Sequence, residues 1–276
     1  VSSTRLSATF AALKAKDQAG LVAYVMANDP DFDTSLAILK ALPGAGADVI
    51  ELGFPFSDPM ADGPAIQAAA ERALKAGGSL RSALCLAQKF RETDNHTPVI
   101  LMGYANPIAA IGETAFAESA ANAGVDGAIV VDLPPEEDTE LRQALDKKKL
   151  SLIRLTTPTT DENRLPTVLA GISGFVYYVS ITGVTGAAAP AAEQAKAAVA
   201  RLKRATDLPI AVGFGVRTEQ TAAAIAAVAD AVVVGSAFVD EIAAHAGSPS
   251  GAVDAVSAKV ATLARAIHGA RTSGKR

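Results

Sequence analysis

The chain has 276 residues, half of them hydrophobic, with no tryptophan, one cysteine and a formal net charge of −4. Its Lys and Arg residues are scattered, which excludes the clustered basic face that nucleic-acid binding needs. The lone Cys85 excludes an intrachain disulfide and a cysteine-rich metal site. No apolar run approaches the roughly 20 residues that span a membrane, so a soluble, cytoplasmic protein is expected.

The first segment, VSSTRLSATFAALKAK, reads as a short amphipathic helix. It lacks the basic region before an apolar run that marks a signal peptide. Apolar runs suited to strands then recur at 21–26, 47–53, 98–104, 127–132, 150–156, 174–180, 209–215 and 231–237. They are continuous and rich in β-branched residues, as parallel strands covered on both faces are. Helical patterns such as TSLAILKAL, EEDTELRQALDKKK and EQTAAAIAAVA lie between them. One of these, LRSALCLAQKF, carries Cys85, which is expected to be a buried structural thiol. AGADVIELG, AGVDGAIVVD and VADAVVVG echo one another, each passing from a helix end through an Asp into a strand.

Eight strand–helix units in about 250 residues predict a closed (β/α)8 TIM barrel with an additional N-terminal helix. No linker or composition break divides residues 1–276, so a single domain is expected. The first strand runs into MANDPDFD without the G-x-G-x-x-G of a dinucleotide-binding sheet.

Active sites of such barrels gather at the C-terminal strand ends. There the chain places Asn28 and Asp29, Glu51 to Asp62, Tyr104 and Asn106, Asp132, Tyr177, and the glycines of the last three loops. Gly215, Gly235 and Ser236, with Gly186 from the sixth loop, suit a phosphate cradle, although the same glycines also make plain tight turns. The small, glycine-bounded TGVTGAAAP suits either a lid or an inert turn.

His96, His245 and His268 fall away from the strand ends, so surface or packing roles are expected and no metal site. Glu51 ends a buried strand, where lost hydration would raise its pKa toward proton transfer near neutrality. The competing reading pairs it with a barrel cation, Arg154 on the fifth strand being the main candidate. Asp58 and Asp62, on the following loop, are individually unremarkable solvated acids.

Read together, ELGFPFSDPMADGPAIQ (51–67), LMGYANPI (101–108), VVDLPPEE (130–137), TPTT (157–160), YYVSITGVTG (177–186) and GFGV (213–216) closely resemble the signatures of the tryptophan synthase alpha subunit family. The resemblance runs in order through nearly the whole chain. It implies a (β/α)8 barrel that cleaves indole-3-glycerol phosphate to indole and glyceraldehyde 3-phosphate by a retro-aldol step. It implies that Glu51 and Asp62 are the two catalytic acids, with Tyr177 orienting Glu51. Tyr24, Ile66, Met102 and Leu133 would wall the indole ring, and Thr185, Gly186, Phe214, Gly215, Gly235 and Ser236 would complete substrate and phosphate binding. Asp58, Pro59 and Asn106 would face a beta subunit in an alpha2beta2 heterotetramer. That partner would carry pyridoxal phosphate, leaving no cofactor in this chain. Three other readings are a stand-alone lyase, a non-catalytic barrel regulating the beta subunit, and another sugar-phosphate isomerase or epimerase.

Overall fold

The structure, a computed structural model, describes residues 4–179, 188–213 and 215–271. Its strands are β1 (Gly20–Met26), β2 (Val49–Gly53), β3 (Val99–Gly103), β4 (Gly127–Val130), β5 (Ser151–Ile153), β6 (Leu155–Thr156), β7 (Val176–Val179), β8 (Ile210–Gly213) and β9 (Ala231–Val234). All pair in parallel in one sheet, ordered β5-β4-β3-β2-β1-β9-β8-β7-β6. The expected fifth strand is split at Arg154. Its first half pairs with β4 and its second with β7, so one continuous path closes the ring. This is the (β/α)8 barrel that the repeating units predict, with strands ending sooner than their apolar runs.

The helices that matter here are α1 (Arg5–Ala15), α2 (Phe32–Ala45), α3 (Pro64–Lys75), α4 (Leu80–Arg91), α5 (Ala105–Ile111), α6 (Glu113–Asn122), α7 (Thr139–Lys147) and α8 (Leu165–Leu169). The chain continues through α9 (Ala188–Lys203), α10 (Glu219–Ala226), α11 (Ser236–Ala244) and α12 (Pro249–Gly269). Strand residues alternate between two apolar environments, which is why the runs show no polar phase. Leu21, Ile50, Leu101, Leu152, Val212 and Val232 face the helices. Val22, Val49, Ile100, Ile129, Ile153, Ala211 and Ala231 face inward.

The N-terminal helix closes the floor of the barrel. Thr4 and Ser7 form a capping box at its start, and Leu6, Phe10 and Leu13 pack onto the lowest inward layer. On α4, the buried stripe is Leu80, Ala83, Leu86, Ala87 and Phe90. Cys85 falls beside that stripe and is only half-buried, less than expected, because at 100° per residue it points off the core face.

The three echoing Asp motifs share one structural job at this floor. Asp48 donates its N–H to Leu21 O at 2.9 Å and accepts Leu21 N–H on Oδ2 at 2.7 Å. Asp126 makes the same reciprocal pair with Val99 (2.8 and 2.8 Å), and Asp230 with Ile210 (2.9 and 2.9 Å). Each carboxylate thereby satisfies the first free N–H of the neighbouring strand, and each then meets a basic side chain. Asp126 binds Arg91 and Arg5, Asp230 binds Lys203, and Asp48 binds His268 of the last helix.

Burial differs among these staples and sets their weight. The side chains of Asp126 and Arg91 are 6% and 9% exposed, those of Asp230 and Lys203 27% and 45%. Asp126→Ala strands a buried guanidinium and is expected to cost about 3 kcal/mol of unfolding free energy. Asp230→Ala is expected to cost about 1 kcal/mol; urea unfolding of both variants checks the order. The third staple titrates: its hydrogen bond to Asp48, then the Asp48 charge, hold His268 above its ordinary 6.5. That contribution is complete below pH 6.5 and is lost as pH rises through the raised folded value. The stability gap between wild type and His268→Gln is therefore expected to narrow in alkaline solution.

Candidate active site

Glu51 is the third of five residues in β2, two residues before the strand end at Gly53. The alternation that turns Ile50 and Leu52 outward turns Glu51 inward, level with Tyr24 on one side and Ile100 on the other. It is 1% exposed, and its Oε1 is buried without a hydrogen-bond partner among the described residues. Burial, with the Asp62 charge adding to it, raises Glu51 from 4.5 to about 8. At neutral pH the group is therefore a protonated acid held in an apolar cylinder.

The cation that could have neutralised it points elsewhere. The Arg154 guanidinium donates to Asp138 at 2.6 Å and to the carbonyls of Thr167, Val168 and Ala170, at the end of α8. Arg154 thus ties a helix C-terminus to the start of α7, outside the barrel.

Asp62 lies on the loop between β2 and α3 and is half-buried. Tyr104, just past β3, donates its hydroxyl to Asp62 Oδ2 at 3.0 Å and accepts Ala61 N–H at 3.0 Å. Burial raises Asp62 and the Tyr104 bond opposes it, with a net upward shift. Tyr104 is among the strand-end residues, but neither its spacing nor the family resemblance assigns it to the site. Its partner is 42 residues upstream, so no local spacing announces the pair.

Two further phenols complete the inner wall. Tyr177 on β7 and Tyr24 on β1 are both buried, and both are raised well above 10. Burial is the main cause for each, and the charges of Glu51 and Asp62 add to it. Each phenol is seated by a glycine. A Cβ on Gly53 would stand 2.3 Å from the Tyr24 hydroxyl, and one on Gly213 would stand 2.8 Å from that of Tyr177. Any larger residue at either position would force the phenol to shift.

Ile66, on α3, and Met102, on β3, pack with Tyr24 and Met26 in one apolar cluster beside the acids. Leu133 is not brought to this cluster; it packs against the outer core, and the inward positions on β4 and just after it are Ile129 and Val131. Gly215 adopts φ +61°, and Gly235 is the N-cap of α11, whose first residue is Ser236 and whose start has no side-chain cap. Thr185, Gly186 and Phe214, and with them the sixth-loop reading, lie outside the described residues. Asp58 and Asn106 are exposed and Pro59 is half-buried, with Met60 beside them 72% exposed. Among the described residues no group of three or more His, Cys, Asp or Glu could hold a metal ion.

A closed parallel barrel whose upper interior holds a protonated acid, a second acid gripped by a phenol, and two more phenols defines a class: a (β/α)8-barrel enzyme equipped for acid–base chemistry. The chain belongs to the tryptophan synthase alpha chain family, whose sequence model matches residues 10–268. It is 55% identical over 267 residues to the tryptophan synthase alpha chain of Caulobacter sp. (strain K31), covering 97% of each chain. To that of Caulobacter vibrioides (strain NA1000 / CB15N) it is 54% identical over 271 residues, 98% of each. The crystal structure of tryptophan synthase subunit alpha from Legionella pneumophila str. Paris superposes with a TM-score of 0.90 at 39% identity, covering 96% of this chain and 99% of that one. A structure of Mycobacterium tuberculosis tryptophan synthase gives 0.88 at 35% identity, covering 97% and 99%.

Glu51 makes the fold sensitive to pH in a defined window. Between 4.5 and about 8 the native state holds a proton that the unfolded chain has released, so its contribution weakens steadily as pH rises. Glu51→Gln is expected to become progressively more stable than wild type across that window and to hold a constant advantage above it. Unfolding curves at a series of pH values check this, and a pH-independent difference would contradict the raised value.

Proposed function

We propose that this chain performs the alpha reaction of a tryptophan synthase, the retro-aldol cleavage of indole-3-glycerol phosphate to indole and glyceraldehyde 3-phosphate. The observation that carries the chemistry is the buried, protonated Glu51, whose Oε1 has no partner among the described residues, beside an acid held by Tyr104. The bond to be broken joins indole C3 to the glycerol phosphate chain, and the indole carbanion is a poor leaving group. Glu51 delivers its proton to C3, giving an indolenine with positive charge on nitrogen. Asp62, hydrogen-bonded to the ring N–H, stabilises that charge, more strongly in a partly dry cavity than in water. The Glu51 carboxylate so formed takes the proton of the adjacent hydroxyl as the carbon–carbon bond opens. Indole and the aldehyde leave, and Glu51 is protonated again.

Tyr177 orients Glu51, while Tyr24, Ile66 and Met102 wall the ring. The N–H groups at the start of α11, at the N-cap Gly235 and at Ser236, and the backbone at Gly215 receive the phosphate, with Thr185, Gly186 and Phe214 completing the site. The family implies a beta-subunit partner, and the alpha chain needs no cofactor of its own. The finer reading is an alpha2beta2 heterotetramer in the cytoplasm, with pyridoxal phosphate in the beta chain. Asp58, Pro59 and Asn106 would form part of the contact, and residues 1–276 would act as one domain.

Three measurements test this. Indole release from indole-3-glycerol phosphate is expected to be slow for the chain alone and strongly accelerated by a beta subunit. Rapid release alone would identify a stand-alone lyase, and none in either condition would leave a regulatory barrel. Asp62→Asn is expected to abolish most turnover while leaving phosphate affinity nearly intact; near-normal cleavage would remove Asp62 from the reaction. Because C3 must be protonated by the acid form of Glu51, kcat/KM is expected to fall as pH rises through about 8. A profile flat to pH 9.5 would contradict that role.

A further inference from the structure

Asp29 follows β1 and has a side chain with no exposed surface. Both of its oxygens are taken by one guanidinium: Arg72 Nε donates to Oδ1 and Nη2 to Oδ2, each at 2.8 Å. A parallel two-pronged bond of this kind fixes orientation as well as distance. Arg72 lies late in α3, the helix that begins at Pro64, two residues after Asp62.

The face that α3 turns to the barrel is unusually smooth. Ala69, Ala70 and Ala73 are its buried residues, and they pack on Tyr24, Met26 and Val239. Methyl groups allow close approach, and beyond Ile66 in the first turn they offer little to stop the far end of the helix sliding or rotating on its support. The fork to Asp29 supplies that missing register. The register is then transmitted to Asp62, because Gln67 of the same helix donates its Nε2 to Asp62 O at 2.8 Å. The main chain of Asp62 therefore rides on α3, while its carboxylate is gripped separately by Tyr104.

We infer that Arg72, acting through Asp29 and Gln67, is a positioning residue that sets where Asp62 stands in the cavity. The inference rests on the acid–base role proposed for Asp62. Arg72 reaches no reacting atom itself; it decides how α3 sits, and α3 carries both Ile66 and the anchor for Asp62. Lysine cannot replace it, since an ammonium keeps the charge but loses the fork.

The test uses the full chain with Arg72→Lys, Arg72→Met and Gln67→Leu, each with and without Asp62→Asn. Indole release at saturating substrate is referred to the folded fraction, measured by unfolding. Both Arg72 variants are expected to lose roughly tenfold or more in kcat per folded molecule. KM is expected to stay within about twofold. Gln67→Leu is expected to show a smaller loss of the same kind, and in the Asp62→Asn background Arg72→Lys is expected to cost nothing further. Arg72→Met leaves Asp29 buried and unpaired, so Arg72→Lys, which keeps the charge, carries the test if that variant does not fold. Folded Arg72→Lys with wild-type kcat, or a full additional loss on top of Asp62→Asn, would overturn the inference. An inactive wild-type chain would instead sink the proposed function, and this inference with it.

Discussion

The inside of a ring of eight strands is only wide enough for side chains to fill, so every inward residue is matched in size to its neighbours. That constraint organises the upper barrel. Two phenols, from Tyr24 and Tyr177, enter the cylinder because Gly53 and Gly213 yield the space. Ala211, inward and level with Tyr177, yields more. What remains at the level of Glu51 is apolar or phenolic, and the nearby arginine, Arg154, is spent outside on Asp138 and a helix end. A carboxyl group left in that company keeps its proton. Size matching and acidity are thus two consequences of one packing solution.

The two ends of the barrel treat carboxylates in opposite ways. At the floor, Asp48, Asp126 and Asp230 each accept a strand N–H and each meet a basic side chain, so they hold neighbouring elements together. At the mouth, Glu51 and Asp62 meet no cation among the described residues; Asp62 is held by a phenol, and one Glu51 oxygen has no partner among them. At the mouth burial raises both acids, Glu51 to about 8, so that Glu51 keeps a proton available for transfer. This division follows the general separation in such barrels between a face that stabilises and a face that reacts.

The loop that carries Asp62 is not left to its own conformational preferences. Phe54 enters it against Gly103, with its N–H on Met102 O. Tyr104 grips its far end, and α3 continues from it. A loop with two prolines after Phe54 and a glycine before the helix restricts few of the side chain's possible positions by itself. Its geometry is borrowed from β3 on one side and from α3 on the other, both of which belong to the rigid ring.

Much of this was determined by the linear sequence. Continuous β-branched runs separated by amphipathic helices specify parallel strands covered on both faces, and eight of them specify a ring. The long signature from Glu51 to Gln67 identifies the family and, through it, the acids. Even the floor staples were visible as three echoing Asp motifs, though not what the carboxylates do. Other features came only from the closed fold. Nothing local says that Arg154 turns outward, that Leu133 leaves the inner wall to Ile129 and Val131, or that Cys85 misses the buried stripe of its helix. Nor could spacing reveal the Tyr104–Asp62 bond or the Arg72–Asp29 fork, whose partners lie 42 and 43 residues apart. The physical reason is the same in each case. Periodicity reports which face of its own element a residue occupies, but the partner a side chain meets, and hence its charge state, is decided by whichever distant strand or helix the ring brings alongside.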